Sequence, residues 1–161
     1  MPKIESAKAL DRVKQDYLEK QSAWKREILV CGGAGCISSN CMEVRDALIA
    51  SIAGNGPSDS VNVLVNGCMG TCAAGPVILV RPDDIFYTDM TAEKAAEVVE
   101  EHIIGGNIFE EYTFYDTSRE TYIPKYSDID FFKEQVKIAL RNCGQMEYAS
   151  LDAYIARDGY Y

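Results

Sequence analysis

The chain has 161 residues and one histidine, His102. That scarcity excludes several kinds of site. A Rieske centre takes two histidine ligands. HExxH and Cys2His2 zinc sites take two as well. Positive charge is also short: 16 Lys+Arg stand against 25 Asp+Glu, a net charge of -9. Nucleic acids are bound by basic faces, so no nucleic-acid partner is expected. No apolar run approaches the ~20 residues that span a bilayer, so no membrane span is expected. The opening MPKIESAKALDRVKQDYLEK lacks the apolar stretch and small-residue cleavage site of a signal peptide. These absences point to a cytoplasmic chain in reducing surroundings, where clustered cysteines mean metal more often than disulfide.

What is present suits a globular core, with 47% of residues hydrophobic and 10% aromatic. Charge divides the chain. Residues 1–26 carry 7 basic and 4 acidic side chains, residues 27–107 carry 3 and 11, and residues 108–161 carry 6 and 10. We read an N-terminal helix over 1–26, a compact acidic domain over 27–107, a surface linker over 108–126 and a helical segment over 127–161.

The first piece is helical in period, with Ile4, Leu10, Val13 and Tyr17 roughly on one face. In the acidic domain, Glu27–Val30 is a short apolar strand that runs into CGGAGC. A helix follows, with Asn40 as cap, Glu43 as capping-box partner, and Val44, Leu48 and Ile52 as its stripe. Gly54-Asn55-Gly56-Pro57 stops it. Val61–Val65 is the next strand, parallel to the first because a helix joins them. Val77–Val80 and Ile85–Tyr87 form an antiparallel hairpin around Arg81-Pro82-Asp83-Asp84, read as a solvated turn. Thr91 caps a helix that carries Ala95, Val98, Val99 and His102 and ends at Gly105-Gly106. His102, in its last turn, reads as a surface or cap residue. Beyond the linker, Asp128–Asn142 is read as a helix with Ile129, Phe132, Val136 and Leu140 as its stripe, and Leu151–Arg157 as a short helical turn. The order β-α-β, β-β-α is that of an α/β, thioredoxin-like fold. It implies a mixed four-stranded sheet with flanking helices, here with an N-terminal helix and a C-terminal helical extension.

Four of the six cysteines fall in two pairs, Cys31-x4-Cys36 and Cys68-x3-Cys72. Each pair begins where a predicted strand ends, and the strands are predicted neighbours, so the thiols converge at one edge. Glycines surround both pairs: Gly32, Gly33 and Gly35, then Gly67, Gly70 and Gly75. They permit positive φ and close backbone approach, and such loops aim N–H groups at sulfur. Burial as small hydrophobes explains this pattern poorly. The plant-type ferredoxin order C-x4-C-x2-C is absent. So is a thioredoxin C-x-x-C, which argues against dithiol–disulfide chemistry. Spacing leaves iron–sulfur and zinc nearly level. Cys41 falls on the buried helix stripe and Cys143 ends the C-terminal stripe, so both read as core or interface. Gly33-Ala34-Gly35 brushes against G-x-G-x-x-G without its third glycine, a weak match. Pro76 stands where thioredoxin folds place a cis proline.

CGGAGC followed by NGCMGTCAAGPVILVRPDD closely resembles the thioredoxin-like [2Fe–2S] ferredoxin family over residues 27–107. That family includes iron–sulfur subunits of bacterial complex I. It also includes the N-terminal domain of flavoprotein subunits in NAD(P)-linked hydrogenases and formate dehydrogenases. The resemblance implies a [2Fe–2S] cluster on Cys31, Cys36, Cys68 and Cys72, one pair to each iron, and one-electron transfer at low potential. No catalytic residue is expected. Residues 128–161 resemble the opening of those subunits' NADH- and FMN-binding module, so the chain reads as cut short before it. FMN and NAD(P)H are not expected to bind. Expected partners are redox subunits of a hydrogenase or dehydrogenase and a flavoprotein module, with a homodimer left open. On this reading Gly159-Tyr160-Tyr161 is expected to be poorly ordered or drawn into a neighbour. The alternatives are a zinc-stapled assembly module without redox activity and a thiol oxidoreductase.

Overall fold

Strand β1, Arg26–Cys31, is an apolar run rather than an alternation, the pattern of a strand covered on both faces. Its Ile28, Leu29 and Val30 are each fully buried in the computed structural model, which describes residues 4, 6–55 and 58–161. Each such side chain contributes roughly 1.5–3 kcal/mol of burial. β1 lies inside the sheet, between β2 (Val61–Asn66) and β3 (Ile78–Arg81), with β4 (Ile85–Tyr87) beyond. The order among the described residues is β2-β1-β3-β4. β1 and β2 are parallel, with Cys31 opposite Asn66. The other two pairings are antiparallel. Before β3 the Gly75–Pro76 peptide is cis, and Arg81–Pro82 is cis as well.

Helices cover the sheet. α1 spans Ala7–Ser22 and leaves Ile4 outside. A short α2, Ala34–Ser38, follows β1, and α3, Cys41–Asn55, buries Cys41, Val44, Leu48 and Ile52 as its spacing predicts. Asn40 enters α3 in left-handed conformation (φ 64°) and its carbonyl accepts the N–H groups of Glu43 and Val44. Gly56 and Pro57 of the expected stop lie outside the described residues. α4, Ala92–Val98, is capped by the Thr91 hydroxyl, which accepts from the Lys94 N–H, and continues into a π-helical stretch, Val99–Ile104. α6, Leu151–Ala156, packs on α1. Tyr17, Leu18, Ala153 and Ala156 of these two helices line, with Leu29 and Leu64, a cavity of about 130 Å³.

Four expectations are corrected. The helix expected over Asp128–Asn142 is one short turn, α5, Asp130–Lys133. Ile129 and Phe132 are buried, but Val136 and Leu140 are 87% and 63% exposed. A helix of this length holds only while its apolar face is packed, and packing ends with the Phe132 ring against Phe86 and Tyr126. The stretch expected as a plain linker contains the hairpin β5 (Phe114–Asp116) and β6 (Thr121–Ile123). Its flanks occupy the outer edge of β4: the Phe86 N–H donates to the Pro124 carbonyl and the Thr88 N–H to the Tyr112 carbonyl. The tail is tied to α1, with Asp158 paired to Lys14 and the Tyr161 hydroxyl donating to Asp11.

His102, expected at the surface, is buried, and Asp83 is tied to it. His102 is 2% exposed. Its Nδ1 lies 2.9 Å from the Tyr87 hydroxyl and its Nε2 3.3 Å from Asp83 Oδ2. Asp83 also accepts from Arg26 Nε at 2.9 Å, so its half-buried carboxylate is held by the fold rather than left to solvent. Asp84 beside it accepts the Ser127 N–H. Burial holds His102 below its ordinary value of 6.5; Asp83 pulls upward and Arg26 pushes further down. The neutral ring donates from Nε2 and accepts at Nδ1, which matches both neighbours.

A neutral His102 stabilises the fold fully above its unfolded value near 6.5. As pH falls below that value, the unfolded chain takes up a proton that the folded chain refuses. Stability declines until the lowered folded value is reached. Thermal denaturation followed from about pH 8 to about pH 5 should show the wild type losing stability more steeply than His102→Gln. Parallel curves would remove His102 as a source of the dependence.

Candidate metal centre

Parallel pairing of β1 with β2 sends both following loops from one rim of the sheet. Cys31 is the last residue of β1 and Cys36 lies in α2. Cys68 follows β2 by one residue beyond Gly67, and Cys72 opens a 3-10 turn, Cys72–Ala74. The sulfurs form two pairs. Cys31 and Cys36 share a hydrogen bond, as do Cys68 and Cys72, and Cys31 is near enough to act electrostatically on Cys68. The first pair is buried, each residue 2% exposed, and the second pair is exposed. Among the described residues no three His, Cys, Asp or Glu side chains gather around a point that would hold a single ion.

The glycines act through close approach. A Cβ on Gly33 would stand 3.0 Å from Cys68 Sγ, and one on Gly35 3.4 Å from Cys72 Sγ. Reciprocally, a Cβ on Gly75 would stand 2.9 Å from Cys36 Sγ. Each loop therefore lays bare backbone against the other loop's sulfur. Positive φ, the other reason to expect glycine, is used in these loops at Gly70 alone (φ 95°).

Burial pushes the Cys36 thiol up to about 12; its hydrogen bond with Cys31 and the Cys31 charge add to this, while the Val77 N–H opposes it. Burial also raises Cys68, opposed by the Gly70 N–H and reinforced by Cys31 and Cys72. Thiols crowded in this way give up their protons to a bound cation, whose charge outweighs their mutual repulsion. Two thiolates at each of two adjacent points, with backbone N–H groups at sulfur, fit a two-metal cluster.

Cys41 is fully buried on α3, as expected, and burial raises its thiol. Cys143 is half-buried in a turn rather than at a helix end, with its Sγ 4.0 Å from a Cβ placed on Gly67. Phe131 lies 3.7 Å from a Cβ placed on Gly70, and Gly144 backs onto Met69, so the C-terminal segment flanks the second cysteine loop. Asn66 and Thr71 belong to no motif of the sequence. Both hold buried polar side-chain atoms without partners at this rim. A polar residue ending an apolar strand beside a cysteine was the available signal for Asn66.

Comparison with known proteins adds an independent finding. The family model for thioredoxin-like [2Fe-2S] ferredoxin matches residues 16–102. A 2Fe-2S ferredoxin of Clostridium pasteurianum is 33% identical over 73 residues, 45% of this chain and 72% of that protein. The solved thioredoxin-like [2Fe-2S] ferredoxin of Aquifex aeolicus aligns at 29% identity and a TM-score of 0.50, covering 56% of this chain and 90% of that one. A chain of an NAD+-reducing [NiFe]-hydrogenase aligns at 14% identity and a TM-score of 0.45, covering 66% of this chain and 22% of that one. A likeness of that size carries no weight for function.

Gly75→Ala should displace the Cys36 thiol and lower the metal content per chain several-fold in elemental analysis. Gly54→Ala is the control: it lies in α3, and its new methyl would meet nothing within 4 Å. Full metal content in Gly75→Ala would show that close approach at this rim is dispensable.

Proposed function

We infer, from its membership of the thioredoxin-like [2Fe–2S] ferredoxin family, to which this chain belongs, that Cys31, Cys36, Cys68 and Cys72 hold its [2Fe–2S] cluster for electron transfer. The observation that carries this ligand assignment is the reciprocal contact of Gly33 with Cys68 and of Gly75 with Cys36. When bound, the cluster accepts and returns one electron. The chain's own residues supply the rest. Cys31 and Cys36 anchor the centre inside the fold, and Cys68 and Cys72 bring it to the surface, where a partner protein comes within tunnelling range. The N–H groups of Val77 and Gly70 donate to Cys36 and Cys68. Such bonds favour the charged sulfur and so help to set the potential.

We place the chain in the cytoplasm, where cysteines stay out of disulfides. We further propose that it serves an NAD(P)H-linked hydrogenase or dehydrogenase, its partners being redox subunits of that assembly. The support is the likeness of residues 128–161 to the opening of such flavoprotein subunits. The division at residues 26, 107 and 126 belongs to the same proposal.

Protein purified without oxygen should be red-brown, contain iron and labile sulfide in equal amounts, and give an EPR signal on reduction. Serine at Cys31, Cys36, Cys68 or Cys72 should abolish or alter that signal, whereas Cys143→Ala should preserve it. A colourless protein with stoichiometric zinc would overturn the reading in favour of a structural staple.

A further inference from the structure

Among the described residues, three buried side-chain nitrogen and oxygen atoms lack a hydrogen-bond partner: Nδ2 and Oδ1 of Asn66, and Oγ1 of Thr71. All three stand beside the second cysteine loop. Asn66 is fully buried and ends β2, two residues before Cys68. It is the register partner of Cys31 across the parallel ladder, so the two side chains leave the same face of the sheet. Its backbone is committed, since the Asn66 carbonyl accepts the Gly32 N–H at 3.1 Å. Its carboxamide is not. Thr71 stands next to Cys72 in the same loop.

Buried polar groups are almost always paired, and a buried group left without a partner costs about 1–3 kcal/mol. Asparagine is also a poor strand residue. A valine or leucine at position 66 would avoid both penalties. An amide and a hydroxyl placed on either side of Cys68 are explained by an acceptor at this rim, where four cysteine sulfurs gather. The amide's terminal torsion is broad, so its N–H2 can turn toward sulfur with little strain.

We propose that Asn66 Nδ2 and Thr71 Oγ1 donate hydrogen bonds to sulfur of the cluster and thereby raise its reduction potential. This inference rests on the ligand assignment above. Reduction adds negative charge that spreads onto sulfur. A donor to sulfur binds the more negative state more strongly, so each donor favours the reduced form. Removing one lowers the potential. Neither group exchanges a proton in the step; each remains a donor in both states.

The test is the midpoint potential of anaerobically purified full-length protein, read by EPR-monitored titration. Cluster content is measured first by absorption, iron and sulfide. Thr71→Val should lower the reduced-to-oxidised ratio at fixed potential about tenfold, or about 59 mV for one electron. Thr71→Ser, which keeps the hydroxyl, should restore it. Asn66→Leu should act in the same direction, and Asn66→Ala, smaller and also without a donor, takes its place where leucine does not pack. A cluster-bearing Thr71→Val with unmoved potential overturns the role of Thr71. An unmoved potential in either cluster-bearing Asn66 variant overturns the role of Asn66. A wild-type protein without iron and sulfide overturns the ligand assignment, and this inference with it.

Discussion

The parallel register of β1 on β2 is the constraint from which the rest of the site follows. Cys31 opposite Asn66 fixes where both strands stop. A one-residue slip would turn every side chain of one strand to the opposite face. Cys31 would then leave the sheet on the face away from Asn66. The register is protected by what it buries, since Ile28, Leu29 and Val30 are fully inaccessible and Val61 and Leu64 nearly so. The same apolar pattern that makes the core therefore sets the positions of the thiols.

The sheet has two ends with different work. At one, sulfur crowds against bare backbone at Gly33, Gly35 and Gly75. At the other, Arg26, Asp83 and His102 form a chain of polar contacts, which the Tyr87 hydroxyl joins from the far end of β4. That network has no exchangeable ligand and no reactive sulfur. It satisfies the start of β1 and the loop between β3 and β4 while keeping a neutral imidazole in the interior. Charge is thus managed by pairing at one end, while at the other burial opposes charge on the Cys36 and Cys68 thiols.

Much of this was legible in the sequence, for identifiable reasons. The apolar runs Ile28–Val30 and Val61–Val65 and the i, i+4, i+8 stripe of Val44, Leu48 and Ile52 are periodic signals read locally. Glycine and proline marked the loops. The paired cysteines at predicted strand ends needed only one further step, that the strands be neighbours. His102 was misread because its partners, Asp83 and Tyr87, come from other elements. Asp83 was misread for the same reason. The helix over Asp128–Asn142 had the right spacing, yet Val136 and Leu140 are left largely exposed. Periodicity shows what a segment would bury, not whether a surface is there to receive it. Asn66 and Thr71 escaped notice because an unpaired polar atom becomes visible only once its surroundings are known.

One further consequence comes from the flanks of the β5–β6 hairpin. An outermost strand ordinarily presents unpaired amides and carbonyls, an invitation to recruit foreign chains. Here Thr113 and Lys125 bridge to Tyr87 and Ile85, and Pro124 receives the Phe86 N–H. That border of the sheet is sealed from within the same polypeptide. Neighbouring proteins therefore cannot add a strand along β4 itself at the positions these bonds occupy.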